Sequence, residues 1–92
     1  FYIGITGCPK TRWNGMDTMP GHCQQWDAMT VLFEGSTVET ADLERRLIRH
    51  SRSCLRCTNV GDGGERAGYA SPHYLYIVTR ASGLIRRFRR AR

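Results

Sequence analysis

Short apolar stretches at three places along the chain predict β-strands. Phe1 to Thr6 alternates between two sets of side chains, so every second residue faces the same way, as in a half-buried strand. Ala28 to Glu34 and His73 to Thr79 are rich in β-branched and other apolar residues, a composition typical of strands. Gly35 and Ser71-Pro72 interrupt the apolar pattern beside these stretches. Three strands are therefore expected.

Two helices are predicted between the strands. Pro9 suits the first turn of a short helix that continues to Trp13. Ser36 followed three residues later by Glu39 matches a capping box, which predicts a longer helix to about His50. A chain of 92 residues with this content is long enough for one domain with a small core.

The longer helix carries a carboxylate on its apolar side. At about 100° per residue, Glu44 projects among the apolar side chains of that helix, which are Ala41, Leu43, Leu47 and Ile48. It lies too far from Ser36 to be explained by capping or by the dipole of the first turn. A carboxylate facing a core is costly unless it is paired or bound to a cation. Glu44 therefore either pairs with an arginine such as Arg12 or binds a hard divalent cation such as Mg²⁺.

The positive charge is concentrated at the end of the chain. The net charge is +6, and the stretch 80–92 contains six arginines and no acidic residue. The remaining residues carry eight basic and eight acidic side chains. Arginine forms bidentate contacts with phosphate, so a polyanionic partner is one interpretation and a solvated tail is the other.

Membrane and secretory classes are not indicated. No apolar run approaches the ~20 residues that cross a bilayer, and the opening residues lack the basic region of a signal peptide. Without evidence of secretion, we expect an intracellular protein with free thiols. The spacing of Cys54 and Cys57 also fits a zinc knuckle, to which His22 and Cys23 are the nearest candidates for further ligands.

An ordered set of short motifs resembles the GIY-YIG nuclease family. Tyr2-Ile3-Gly4 is followed by Arg12 in the next helix, by Glu44 in the long helix and by Asn59 after it. The resemblance covers most of residues 2–59. It implies an α+β fold with a small antiparallel sheet flanked by helices, in which residues 1–83 form the nuclease domain and 84–92 an arginine-rich tail.

The resemblance also implies a function and a site. Such a protein is an endonuclease that hydrolyses phosphodiester bonds in DNA with a single divalent metal, Mg²⁺ or Mn²⁺. Glu44 would hold the metal, Arg12 would stabilise the charge on the phosphate, and Tyr2 would position or help activate the attacking water. His22 would be a further polar active-site residue, and Asn59 would brace the site from its loop. Taken alone, His22 also fits an ordinary hydrogen-bonded histidine, and Asn59 a turn residue.

The chain departs from the family pattern in one respect. The family's Gly-Ile-Tyr strand precedes the Tyr-Ile-Gly strand, whereas here Tyr2 is the second residue. The missing strand is expected either upstream or in the stretch 73–79, which carries Tyr74 and Tyr76 on one face. Half-buried packing in the sheet is the alternative role of these tyrosines.

Two other functions remain open from the sequence. One is a catalytically inactive nucleic-acid-binding module on the same scaffold. The other is a small zinc-stabilised interaction domain that uses Cys54 and Cys57.

Overall fold

The computed structural model describes residues 1–61, 63 and 72–81. They form a small α+β fold with a three-stranded antiparallel sheet and one main helix. The strands are β1 (Tyr2–Thr6), β2 (Gly15–Met16), β3 (Met19–Pro20), β4 (Ala28–Gly35) and β5 (His73–Thr79). The helices are α1 (Pro9–Asn14) and α2 (Thr37–Ser51), with a 3₁₀ turn at His22–Gln24. The tail predicted at 84–92 lies outside the described residues.

The central strand of the sheet is the last of the described strands along the chain. The order is β1-β5-β4, and β5 pairs antiparallel with both neighbours. Gly4 of β1 lies opposite Tyr76 of β5, and Tyr76 lies opposite Val31 of β4. A bulge between Val31 and Phe33 shifts the register of β4. The three predicted strands are confirmed, and 73–79 does join the sheet beside the Tyr-Ile-Gly strand.

The predicted capping box opens α2. The Glu39 amide donates to the Ser36 hydroxyl at 3.1 Å, and the Ser36 amide donates to the Glu39 carboxylate at 3.3 Å. These two bonds satisfy amides that the first turn of a helix leaves without partners. The helix continues to Ser51, one residue beyond the predicted end.

Apolar side chains cover both faces of the sheet. Successive residues of a strand point to opposite faces, so β5 contributes to two separate clusters. The cluster beneath α2 contains Ile3, Ile48 and Leu75. The cluster on the other face contains Trp26, Tyr76 and Val78, with Trp13 of α1 packed against it. Helices therefore flank the sheet, and the partly buried Trp13 packs against the core that contains Trp26.

The stretch 15–26 contains a tight hairpin. β2 and β3 pair antiparallel, with Gly15 opposite Pro20. Gly15 has a φ of +85°, which an L side chain rarely adopts, and a Cβ there would come within 2.7 Å of the Met19 carbonyl oxygen. Gly21 is buried where the chain returns to α1. The hairpin thus folds the chain back and brings His22 near Arg12.

Gly4 makes room for the Tyr76 phenol. A Cβ at Gly4 would overlap the Tyr76 hydroxyl and lie 2.6 Å from its Cζ. The phenol therefore lies across β1 where that strand has no side chain. A glycine in a strand allows another group to approach the backbone closely, and here that group is the Tyr76 side chain of the neighbouring strand.

Gly4→Ala is expected to destabilise the fold by about 1–3 kcal/mol, because the new methyl group displaces a buried ring. Urea unfolding measured by circular dichroism gives this value. Gly7→Ala is the matched control, since the nearest atom to a Cβ at Gly7 is 3.9 Å away. Equal stability of the two variants would contradict the proposed steric conflict.

No helix among the described residues is long and apolar enough to span a membrane.

Candidate functional site

One cavity of about 490 Å³ gathers the five residues singled out from the sequence. It lies beside β1 and α2, and its walls come from six segments of the described chain. Tyr2, Arg12, His22, Glu44 and Asn59 all line it, and Tyr76 joins them. None of the predicted site residues lies elsewhere. Their convergence is a property of the fold, because Tyr2 and Asn59 are 57 positions apart in the sequence.

Glu44 occupies the inward position that the helical pattern predicts. Its side chain is 8% exposed, in the middle of α2. Ile48, one turn further along, also lines the cavity. Gly63 packs against the carboxylate, and a Cβ at that position would lie 3.1 Å from Glu44 Oε1. The φ of Gly63 is +74°, so a glycine suits both the conformation and the space.

Two tyrosines and a histidine form an aromatic cluster at the cavity wall. His22 Nε2 and the Tyr76 hydroxyl are 2.8 Å apart, which is hydrogen-bond distance. The Tyr2 ring is 5.6 Å from the His22 ring and the Tyr76 ring is 5.4 Å from it, measured between centroids. Both tilted contacts hold the imidazole in place. Tyr76 itself is only 2% exposed.

His22 and Tyr76 both favour their uncharged forms in this cluster. Burial lowers the pKa of His22, and the positive charge of Arg12 lowers that pKa further. Burial raises the pKa of Tyr76, with an added contribution from Tyr2. In the tautomer protonated on Nδ1, His22 accepts the Tyr76 hydroxyl proton through Nε2. The lone pairs of the phenol oxygen then remain available as acceptors.

Arg12 lies at the end of α1 and lines the cavity with an exposed side chain. Because α1 ends at Asn14, its last turn places this cation near the returning segment that carries His22. An exposed guanidinium beside a cavity that contains hydroxyl groups is suited to an anionic oxygen ligand.

Asn59 clamps the edge strand β1 from the loop that follows α2. Its Nδ2 donates to the Ile3 carbonyl at 2.8 Å, and its Oδ1 accepts from the Ile3 amide at 2.9 Å. One residue earlier, the Thr58 amide donates to the Phe1 carbonyl at 2.8 Å. The loop therefore pairs with the edge of β1 almost as a strand would. Asn59 holds Tyr2 and Gly4 in place through the residue between them.

Asn59→Ala is expected to lower the free energy of unfolding by about 1–3 kcal/mol, because it removes both partners of the Ile3 main chain. Chemical denaturation provides the measurement. Thr58→Val is a suitable comparison, because it removes only the exposed hydroxyl bond to the Phe1 carbonyl. If Thr58→Val lowers the free energy of unfolding as much as Asn59→Ala does, the stabilisation of β1 does not depend specifically on the Asn59 side-chain amide.

The two tyrosines of β5 have different surroundings. Tyr76 lines the cavity, whereas Tyr74 does not. A hydrogen bond from Tyr74 to the Glu34 carboxylate raises the pKa of Tyr74. Of the pair considered from the sequence, only Tyr76 belongs with the site residues. The alternation along β5 indicated both positions equally, and only the glycine opposite Tyr76 distinguishes them.

The cysteines do not assemble with other ligands in the part of the chain described. Cys8, Cys23 and Cys54 are exposed thiols, and Cys57 is half-buried. The Cys57 thiol donates to Asn59 Oδ1 at 3.7 Å. No group of three or more His, Cys, Asp or Glu side chains suited to a metal ion occurs within residues 1–61, 63 and 72–81. A zinc site would need more than the pair at 54 and 57.

No family profile, curated protein or solved structure gives a significant match to this chain. The functional assignment therefore depends on the chemistry of the cavity.

Proposed function

We propose that this chain is a metal-dependent endonuclease of the GIY-YIG kind that hydrolyses phosphodiester bonds in DNA. The observation that carries the proposal is the convergence of Tyr2, Arg12, His22, Glu44 and Asn59 on one cavity. The sequence pattern alone indicates the same five residues. Tyr76, from a sixth segment of the chain, completes the set.

The position of β5 supports the resemblance. In the family pattern, a tyrosine-bearing strand accompanies the Tyr-Ile-Gly strand. Here β5 pairs with β1 and places Tyr76 beside Tyr2. We infer that β5 takes the role that the tyrosine-bearing strand has in the family.

The cavity suits a single hard cation such as Mg²⁺ or Mn²⁺. Glu44 is the carboxylate on its wall, and the other polar groups there include the oxygens of Tyr2, Tyr76 and Asn59. Mg²⁺ is commonly held by one or two carboxylates, with water and substrate phosphate as further ligands. Glu44 would hold the cation. When bound, the cation neutralises charge on the phosphate and makes a bound water more acidic.

The protein groups then have separate tasks in hydrolysis. Arg12 contacts a non-bridging phosphate oxygen and stabilises the charge that develops on it. Tyr76 accepts a proton from the attacking water while it passes its own hydroxyl proton to His22 Nε2. A phosphorus–oxygen bond to the water forms, the bond to the leaving oxygen breaks, and the leaving oxygen takes a proton from solvent.

The relay explains why a tyrosine with a raised pKa is still useful. Burial disfavours the deprotonated form of Tyr76, the phenolate. Because Tyr76 loses one proton as it gains another, its oxygen never carries a full charge. His22 becomes the imidazolium and releases the proton afterwards. Tyr2 keeps the imidazole oriented through its ring contact.

DNA is the proposed partner because basic side chains lie on the site's own helix. Arg45 and Arg49 are exposed on α2, the helix that carries Glu44. Arg52 donates to the carbonyls of Val60 and Gly61 and so holds the loop beside the cavity. Exposed arginines contact phosphates without selecting sequence. An intracellular location, in contact with DNA, belongs to the same proposal.

Nicking of supercoiled plasmid tests the proposal directly. The full chain is incubated with plasmid in Mg²⁺, in Mn²⁺ and in EDTA. Open-circular product in either metal and its absence in EDTA support the endonuclease. Salt-dependent DNA binding with no product in either metal would overturn it in favour of an inactive binding module. Stoichiometric zinc in the purified protein, without nuclease activity, would favour the zinc-stabilised domain.

A further inference from the structure

A second cavity adjoins the first across Arg12. It encloses about 430 Å³, and Arg12 is the residue that lines both cavities. Its walls come from the end of β1, from α1 and from the hairpin of β2 and β3. The lining side chains include Thr6, Thr11, Met16, Met19 and Pro20. A ligand group bound by Arg12 in the first cavity therefore has this second space directly beside it.

The hairpin wall is apolar, exposed and firmly held. Met16 is 62% exposed and Met19 is 57% exposed, although large apolar side chains usually avoid water. The tight packing of Gly15 against Gly21 fixes the hairpin to α1. Thioether side chains are polarizable and make favourable contacts with aromatic rings. The wall thus offers a fixed apolar surface for a flat ring.

Apart from Arg12, the side-chain hydroxyls of the cavity already have local partners. The Thr6 hydroxyl accepts from the Cys8 amide at 3.1 Å, and the Thr11 hydroxyl lies 3.2 Å from the Cys8 thiol. Recognition in this cavity is therefore dominated by contact with the face of a ring. Such contact tolerates any of the four bases, because every base has a π-face.

We propose that this second cavity holds the base of the nucleotide next to the scissile phosphate, and that the enzyme prefers substrates in which this nucleotide is unpaired. The proposal rests on the function proposed above, which places the scissile phosphate at Arg12. A base attached to that phosphate has an apolar space within reach on the far side of the guanidinium. A single-stranded end, flap or bulge supplies such a base without further cost.

Paired DNA fits this cavity less well. A base inside a duplex is stacked and hydrogen-bonded, so it must leave the helix before it can enter a protein cavity. That cost is smallest for a nucleotide that is already unpaired. The structure therefore favours cleavage at unpaired positions over cleavage within a continuous duplex.

A double-mutant cycle between protein and substrate tests the inference. The two proteins are the wild type and Met16→Ala/Met19→Ala, and the two substrates are single-stranded oligonucleotides with either a normal or an abasic nucleotide at the cleavage position. Cleavage rates in Mg²⁺ and dissociation constants in EDTA are both measured. Val38→Ala is the control, since Val38 is an exposed apolar residue outside both cavities.

The wild type is expected to favour the normal over the abasic substrate by about tenfold, the effect of thioether contacts with one ring. The methionine double variant should lose this preference, whereas Val38→Ala should keep it. Met16→Leu/Met19→Leu should restore most of it, because leucine retains the apolar surface. A continuous duplex should be cleaved more slowly than the unpaired substrate.

The outcomes separate this inference from the proposed function. Cleavage with equal rates on normal and abasic substrates overturns the base cavity and leaves the endonuclease intact. If Met16→Ala/Met19→Ala lowers the cleavage rate equally on the normal and the abasic substrate, the base cavity is likewise overturned and the endonuclease is left intact. If the chain nicks plasmid but neither binds nor cleaves these single strands, only the base cavity is overturned. If it also fails to nick plasmid, both proposals fail.

Discussion

Glu44→Gln is expected to lower the rate of Mg²⁺-dependent plasmid nicking by at least about a hundredfold, because it removes the carboxylate that would hold the cation. Glutamine has the same shape and keeps one oxygen, so the packing of Gly63 and Ile48 around the side chain is retained. DNA binding measured in EDTA should change little, since it depends on the exposed arginines of α2. The loss should therefore appear in the rate of cleavage.

Asp42→Asn is the matched control for that experiment. Asp42 is a carboxylate on the same helix, but it faces solvent and pairs with Arg46 at 3.0 Å. Its removal should leave the nicking rate within about twofold of the wild type, because exposed ion pairs contribute little. Circular dichroism spectra of both variants check the fold. Cleavage that survives Glu44→Gln or Glu44→Ala would exclude Glu44 as the metal ligand.

The local elements of this fold follow closely from local sequence. The capping box at Ser36 and Glu39 fixes where α2 begins, and the β-branched stretches mark β4 and β5. Each of these features depends on interactions among neighbouring residues. The hairpin at 15–20 was not predicted, because its strands have two residues each and depend on close packing between Gly15 and Gly21.

The order of the strands in the sheet could not be predicted from the sequence and is known only from the structure. The residues of 73–79 do not indicate that β5 lies between β1 and β4. Pairing between strands that are far apart in the sequence leaves no local pattern. The choice between Tyr74 and Tyr76 has the same origin. It depends on the register that puts Gly4 opposite Tyr76, which is a relation between distant positions.

The site residues were predictable to different degrees. Glu44 could be found from physical reasoning, because a carboxylate on an apolar helix face needs an explanation. Tyr2, Arg12 and His22 were selected by family resemblance, since single polar residues in short segments carry no other signal. Turn propensity could not predict the structural role of Asn59, because its two hydrogen bonds to Ile3 join residues that are 56 positions apart.

Tyr76→Phe is expected to lower the nicking rate by at least about a hundredfold, the usual contribution of a positioned proton acceptor. The substitution removes only the hydroxyl, so the ring stays over Gly4 and beside His22. Tyr74→Phe is the matched control, because Tyr74 lies on the same strand and the same face but outside the cavity. A wild-type rate in Tyr76→Phe would exclude the relay.

The same relay fixes the direction of the pH dependence. Burial and the positive charge of Arg12 lower the pKa of His22 from its usual value, so the neutral imidazole is favoured. Once protonated, Nε2 carries a hydrogen and no longer accepts the Tyr76 proton. The nicking rate should therefore be constant above neutrality and fall as the pH drops through the lowered pKa of His22. Rates between pH 5 and 8 give the profile, and His22→Asn should lower the plateau and remove the inflection. A rate that rises on acidification would require a protonated His22 as a general acid instead, and the proton would then move in the opposite direction between these two side chains.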